Sequence, residues 1–117
     1  MIVDQLSDTD VDRVFHALAD ATRRDIVLRT LQGEHSVSSL ARGYPMSFAA
    51  VQKHVAVLEG AGLVTKHRSG REQLVRGDVG TIRKAYALLE QLELVWRGRI
   101  DRIGEILADE HPGGTKP

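Results

Sequence analysis

The apolar residues of this chain follow a helical period, switch once to strand-like spacing, and then return to the helical period. Val11, Val14, Phe15 and Leu18 recur at helical intervals after Ser7 or Thr9, either of which can cap. Asp8, Asp10 and Asp12 lie in the opening turn, where negative charge complements the macrodipole, so a helix is predicted over about residues 8–19. A second helix, capped by Asp20 or Thr22, carries Ile26, Val27, Leu28 and Leu31 on its apolar face and stops at Gly33. SVSSLARGY and MSFAAVQKHVAVLEGAG then give two more helical patterns. Gly43, Tyr44, Pro45 and a cap at Ser47 separate them, and Pro45 disfavours helix at Tyr44. In the later of the two, Val51, Val55 and Leu58 share one face, and Ala49, Gln52, Lys53 and Ala56 share another.

From Leu63 the texture becomes LVTKHR, SGR, EQLVRG: two short strand patterns around a Ser-Gly turn, with Arg68 and Arg71 beside the tip. Helical spacing resumes over residues 80–110. Ile82, Ala85, Leu89, Leu92, Trp96, Ile103 and Ile106 fall on heptad a and d positions, Arg99 interrupts that seam, and Ile100 lies beside it. A helix of this length spans about 45 Å, more than a compact domain of this size covers, so its excess apolar face calls for a partner. The expected fold is mostly α with one small β-hairpin, in the order α-α-α-α-β-β-α.

The 117 residues suit one domain, placed at 1–110, with HPGGTKP (111–117) as a flexible tail. With 42% hydrophobic but 4% aromatic residues, the core must be aliphatic. The absence of cysteine excludes disulfides, thiolate metal sites, iron–sulfur clusters and cysteine nucleophiles. No apolar run approaches the roughly 18–20 residues of a membrane span, and MIVDQLSDTD is acidic where a signal peptide would be basic, so a cytoplasmic location is expected.

Sixteen basic and sixteen acidic residues leave the formal charge at zero, which on its face argues against a nucleic-acid partner. The average conceals a segregation. Residues 1–34 carry a net −3, residues 35–76 a net +4, and residues 77–117 a net −1. The basic block coincides with the helix pair and the hairpin.

That coincidence is the strongest chemical signal in the chain. A helix about 10–12 Å across fits the DNA major groove, and a preceding helix fixes its angle across the backbone. Ala49, Gln52, Lys53 and His54 are placed toward base edges or phosphates: Gln pairs with adenine, Lys donates to guanine, and Ala offers a methyl to thymine. Ser47 and the helix N-terminus suit a phosphate. A basic hairpin tip reaches phosphates or an adjacent minor groove. Against this stands the plainer reading in which Gln52, Lys53 and His54 are a solvated helix face.

FHALADATRRDIVLRTL, MSFAAVQKHVAVLEGAGLVTKHRSGREQLVR and the long terminal helix together resemble the ArsR family of winged helix-turn-helix repressors, from about Asp12 to Arg76 in motif and to about Ala108 in architecture. The resemblance implies a homodimeric, cytoplasmic transcriptional repressor that binds double-stranded DNA at an imperfect inverted repeat. Dimers would form through helices at about 8–19 and 80–110, with Val14, Phe15, Leu89, Leu92, Trp96 and Ile103 at the contact, and the reading head would be residues 35–76. By position, residues from Ser47 to Gly60 form the recognition helix, with Phe48, Ala49, Gln52, Lys53 and His54 in its DNA-facing region. Arg68, Gly70 and Arg71 form the wing. Phe48, three residues before Val51, equally suits the edge of the core.

Many members of that family sense metals, and the chain departs from their patterns. It has no cysteine, and residues 80–110 contain no histidine. Asp101, Glu105 and Asp109 share one helix face but read as a solvated acidic stripe, and His16 as a packed or interface histidine. No metal and no cofactor are expected. Trp96 reads as packing in a core or dimer contact, with a hydrophobic effector pocket as the other option. No G-x-S-x-G, P-loop or H-E-x-x-H pattern occurs, so no enzyme is expected. The alternative to a DNA-binding regulator is a protein-interaction module that uses the same scaffold without a DNA target.

Overall fold

A computed structural model describes residues 6–110. The expected tail at 111–117 lies outside the described residues. The chain forms two compact units, one ending at Ala85 and the other beginning at Tyr86. The first contains α1 (Asp8–Leu18), α2 (Ala21–Gln32), β1 (His35–Ser36), α3 (Val37–Ala41), α4 (Phe48–Gly60), β2 (Val64–Ser69) and β3 (Glu72–Gly77). It also holds the opening turns of α5 (Val79–Glu110), whose remainder makes up the second unit. No helix among the described residues is long and apolar enough to cross a membrane.

Each helix of the first unit starts at a polar side chain that satisfies an orphan backbone donor. Ser7 caps α1 by accepting from the Asp10 N–H at 3.1 Å, and Asp20 caps α2 by accepting from the Arg23 N–H at 3.0 Å. Ser36 and Ser47 do the same for α3 and α4. Of the alternative caps in the sequence, Ser7 is therefore used and not Thr9, and Asp20 and not Thr22. The α3 helix stops at Ala41, and the turn expected at Gly43 and Tyr44 follows it: the Gly43 N–H donates to the Leu40 carbonyl and the Tyr44 N–H to that of Ala41.

The core is aliphatic. Val14 and Ala17 of α1, Ile26 and Val27 of α2, Leu40 of α3, and Val51, Val55 and Leu58 of α4 converge with Leu63, Val64, Val75 and Ala85. Full burial of side chains this size stabilises by roughly 1.5–3 kcal/mol each, so these few residues set the helix orientations. The second helix differs from its predicted face. Leu28 is 59% and Leu31 39% exposed, while Thr30 is buried and donates its hydroxyl hydrogen to the Ile26 and Val27 carbonyls. With its hydrogen bond satisfied inside its own helix, a threonine enters the core in place of the leucine beside it.

The hairpin forms as its sequence suggests, with Ser69 opposite Glu72 and a two-residue loop of Gly70 and Arg71. Gly70 has φ of 62° and Arg71 does not share the positive φ, the pattern of a type II′ turn with glycine at its first central position. The two-residue β1 strand, which hydrophobic periodicity does not reveal, pairs antiparallel with β3 (His35 opposite Val75, Ser36 opposite Leu74), giving the strand order β1-β3-β2.

Between α4 and the hairpin lies a Schellman turn. The Gly62 N–H donates to the Glu59 carbonyl at 3.0 Å, and the Leu63 N–H to the Leu58 carbonyl at 2.9 Å. Gly62 has φ of 77°, and a methyl added there would also lie 3.3 Å from the Thr81 hydroxyl oxygen, whereas Gly60 faces open space. Gly62→Ala is expected to destabilise the fold by about 1–2 kcal/mol, and Gly60→Ala to leave it unchanged or slightly more stable, as read from urea unfolding midpoints.

Candidate nucleic-acid interface

Burial of Val51, Val55 and Leu58 turns Ala49, Gln52, Lys53 and Ala56 to the outside of α4, as their spacing predicts. Phe48, which the sequence left between core and surface, is 46% exposed and lies outside the core cluster. Phe48 and Gln52 line an open cleft of about 140 Å³ together with Ser36, Val37 and Ser38 at the start of α3 and Arg71, Glu72 and Gln73 of the hairpin. The presented face of α4 and the hairpin tip therefore form one continuous surface. Ser38, Glu72 and Gln73 were not singled out in the sequence. Their only local signal is position, beside the α3 cap and beside Arg71.

His54 is drawn away from that surface. It is half-buried, and its Nδ1 lies 3.2 Å from Nη1 of Arg23. Arginine has no acceptor, so this contact requires Nδ1 to be the unprotonated ring nitrogen. The same guanidinium donates through Nε to the Ala17 carbonyl at 2.8 Å and through Nη2 to the His16 carbonyl at 3.2 Å. Arg23 thus ties the C-terminal end of α1 to the middle of α4, and His54 positions the helix instead of standing with Gln52 and Lys53. No sequence signal exposes this link, because His54 is 31 residues from Arg23. The His16 side chain is exposed.

The turn between α3 and α4 is tied to α2. The Tyr44 hydroxyl donates to Asp25 Oδ2 at 2.6 Å, and the Arg29 guanidinium lies 5.3 Å from the centre of the tyrosine ring. Burial, with the hydrogen bond to Asp25, raises the Tyr44 pKa above its ordinary value.

The basic residues divide into two groups. Lys66 pairs with Glu59 of α4 at 3.3 Å, and Glu34 holds Arg76 at 3.0 Å and sits 3.4 Å from His67, so these side chains brace the base of the hairpin. Arg42, Lys53, Arg68 and Arg71 are exposed and make no ion pair within the described residues. Ser47 is exposed at the start of α4, its hydroxyl already accepting from the Ala50 N–H.

The residues expected at a dimer contact separate likewise. Val14 is fully buried within the protomer and belongs to its core, so it offers no surface to a partner. Phe15 is half-buried, while Leu89, Leu92, Trp96 and Ile103 on α5 are between 48% and 58% exposed. Asp101 and Glu105 are exposed, and no group of three metal-ligating side chains assembles among the described residues.

A capped helix pair, a turn and a basic hairpin on one continuous surface define a winged helix-turn-helix DNA-binding protein. Residues 20–66 match the bacterial regulatory protein arsR family. The chain is 34% identical over 99 residues to the HTH-type transcriptional regulator Rv2034 of Mycobacterium tuberculosis, covering 85% of this chain and 90% of that relative. An ArsR-like transcriptional regulator from Rhodococcus sp. RHA1 superposes with a TM-score of 0.75 at 34% identity, over 84% of this chain and 92% of that one. The homodimeric winged helix-turn-helix DNA-binding domain Mb0332 of Mycobacterium bovis superposes at 0.58 and 25% identity, over 83% and 93%. The chain belongs to the ArsR family; it is a transcriptional regulator and not an enzyme.

Two measurements check the electrostatic framework. Arg23→Lys keeps the charge but not the three-way fork, and is expected to lower stability by about 2 kcal/mol in denaturant unfolding. The Arg23 N–H hydrogen bond, assisted by the nearby Arg23 charge, holds the Asp20 carboxyl below its ordinary value of 3.8. A depressed folded pKa means that its contribution to stability is complete above 3.8 and is lost as pH falls through the lower folded value. Asp20→Ala should therefore show a shallower loss of stability on acidification than the parent, read from unfolding midpoints between pH 5 and pH 2.

Proposed function

We propose that this regulator is a cytoplasmic, sequence-specific repressor that binds an imperfect inverted repeat in double-stranded DNA as a homodimer paired through α1 and α5. One observation carries the DNA assignment: Phe48 and Gln52 of α4 and Arg71 of the hairpin line one cleft, while Lys53 of the same helix and Arg68 of the same hairpin are exposed and make no ion pair among the described residues. In this reading α4 enters the major groove. Gln52 pairs with an adenine edge, Lys53 donates to a guanine, and Ala49 meets a thymine methyl. Ser47 and the α4 N-terminus approach a phosphate, Phe48 packs where α4 meets the hairpin, and Arg68 and Arg71 neutralise the neighbouring backbone.

His54 acts through Arg23 by holding the angle of α4. The acidic segments outside residues 35–76 repel phosphate, which favours docking through the basic surface. A two-fold dimer places its half-site centres about 34 Å apart, one helical turn. Exclusion of polymerase from the occupied site is the simplest way such a dimer represses. The fit of the mycobacterial homodimer supports the assembly; no comparable observation favours a protein-interaction module.

The test is operator selection from genomic fragments followed by titration at two salt concentrations. The Gln52→Ala, Lys53→Ala double variant should lose at least about 30-fold in affinity for the selected site. Arg68→Ala with Arg71→Ala should weaken all sequences alike and make the salt slope shallower by about 2 per wing. Parent-like binding by the first variant at matched salt would refute the placement of α4, and parent-like binding by both would refute the DNA surface.

A further inference from the structure

The basic block at residues 35–76 contains two acids, Glu59 and Glu72, and the fold uses them differently. Glu59 is committed to Lys66 at 3.3 Å, and Glu34, just before the block, is committed to Arg76 and His67. Glu72 is exposed and makes no ion pair among the described residues. Its cross-strand partner is Ser69, which brings no charge to it. Arg71 precedes it in the chain but does not pair with it. The acids around the hairpin base therefore brace it, and this one near the tip does not.

Its position is as distinctive as its lack of a partner. Glu72 lines the same cleft as Phe48, Gln52 and Arg71, and among the described residues it is the one acid that does so. A carboxylate thus stands between the side chain assigned to a base edge and the one assigned to the backbone. An ionised carboxylate only accepts hydrogen bonds. Phosphate oxygens are anionic acceptors as well, so the DNA backbone offers Glu72 nothing and repels it. Docking also strips water from the carboxylate, which is costly unless a donor replaces it.

DNA carries few donors that can. They are the exocyclic amino groups of the bases: cytosine N4 and adenine N6 in the major groove, and guanine N2 in the minor groove. A duplex with such a group opposite Glu72 removes the penalty, whereas any other leaves a desolvated anion among phosphates. The exposed cations of this surface act in the opposite sense, because attraction to phosphate favours all sequences alike. Discrimination is gained when a group attractive to the right partner is unfavourable to the rest.

We infer that Glu72 is a specificity-determining residue of this surface: its carboxylate accepts a hydrogen bond from an exocyclic base amino group in the operator and penalises docking on sequences that lack one there. This rests on the DNA-binding reading above and deepens it by assigning a role to an acid within the basic surface.

Two variants test it in the full chain, with the selected operator and a random-sequence duplex as probes. Glu72→Gln removes the charge and keeps the shape; Glu72→Ala removes the acceptor as well. Because the side chain is exposed, both should keep the parent's urea midpoint. Both should bind the random duplex at least about threefold more tightly, with a salt slope steeper by about 1 per reading head. The ratio of operator to random affinity should fall at least about fivefold. Operator selection repeated with Glu72→Ala should lose its preference at one position in each half-site, where the parent selects a base with an amino group facing the protein. Base preferences identical to the parent's at every position would overturn the assignment, as would an unchanged random-duplex affinity for Glu72→Gln. Equal weakening on both probes would make Glu72 a support of the hairpin and overturn it too. If the parent itself does not distinguish operator from random duplex, the DNA-binding reading fails first, and this inference with it.

Discussion

Burial of Val51, Val55 and Leu58 against the aliphatic core is the interaction on which the rest of the molecule depends. Together these side chains contribute several kcal/mol, more than any single polar contact on the opposite face of α4. They therefore decide the rotation of the helix, and the rotation decides what the surface offers. Ala49, Gln52 and Lys53 face outward because the other three cannot. The same helix ends in a Schellman turn that delivers Leu63 and Val64 straight into the core. The hairpin accordingly begins at a defined place and direction, and its tip arrives beside the N-terminal half of α4.

Polar contacts refine what the core sets. Arg23 binds the final carbonyls of α1 and the ring of His54, so the tilt of α4 is referenced to α1 as well as to the core. Tyr44 does comparable service for the turn through Asp25 and Arg29. The hairpin base is held by Glu34 and Glu59, which consume three of the nearby basic side chains. Lys53 on α4 and Arg68 and Arg71 of the hairpin are exposed and make no ion pair among the described residues, so positive charge is left where the geometry presents a surface. A formally neutral chain thereby acquires a positive working face.

The distal part of α5 has a different physical character. It has no core of its own, and its apolar residues meet solvent in the isolated chain. Such a stripe is a constraint on assembly, because its area is stabilised only when something covers it.

Much of this architecture was legible in the amino-acid sequence. Helical periodicity, a proline-marked turn, serine and aspartate caps and a Ser-Gly turn determine seven of the elements and the two faces of α4. They do so because each is a local pattern read within a few residues. Tertiary structure decided what depends on partners distant in the chain. The short β1 strand exists because β3 offers it an edge, and two residues carry no period of their own. Val14 belongs to the core and not to a surface, and Thr30 displaces Leu31 from burial, because depth is a property of the assembled layers. His54, which helical spacing sets near Lys53, is claimed by an arginine 31 residues earlier. Local pattern fixes which face of a helix is apolar; only packing fixes how far each residue on its margin is buried, and what it meets there.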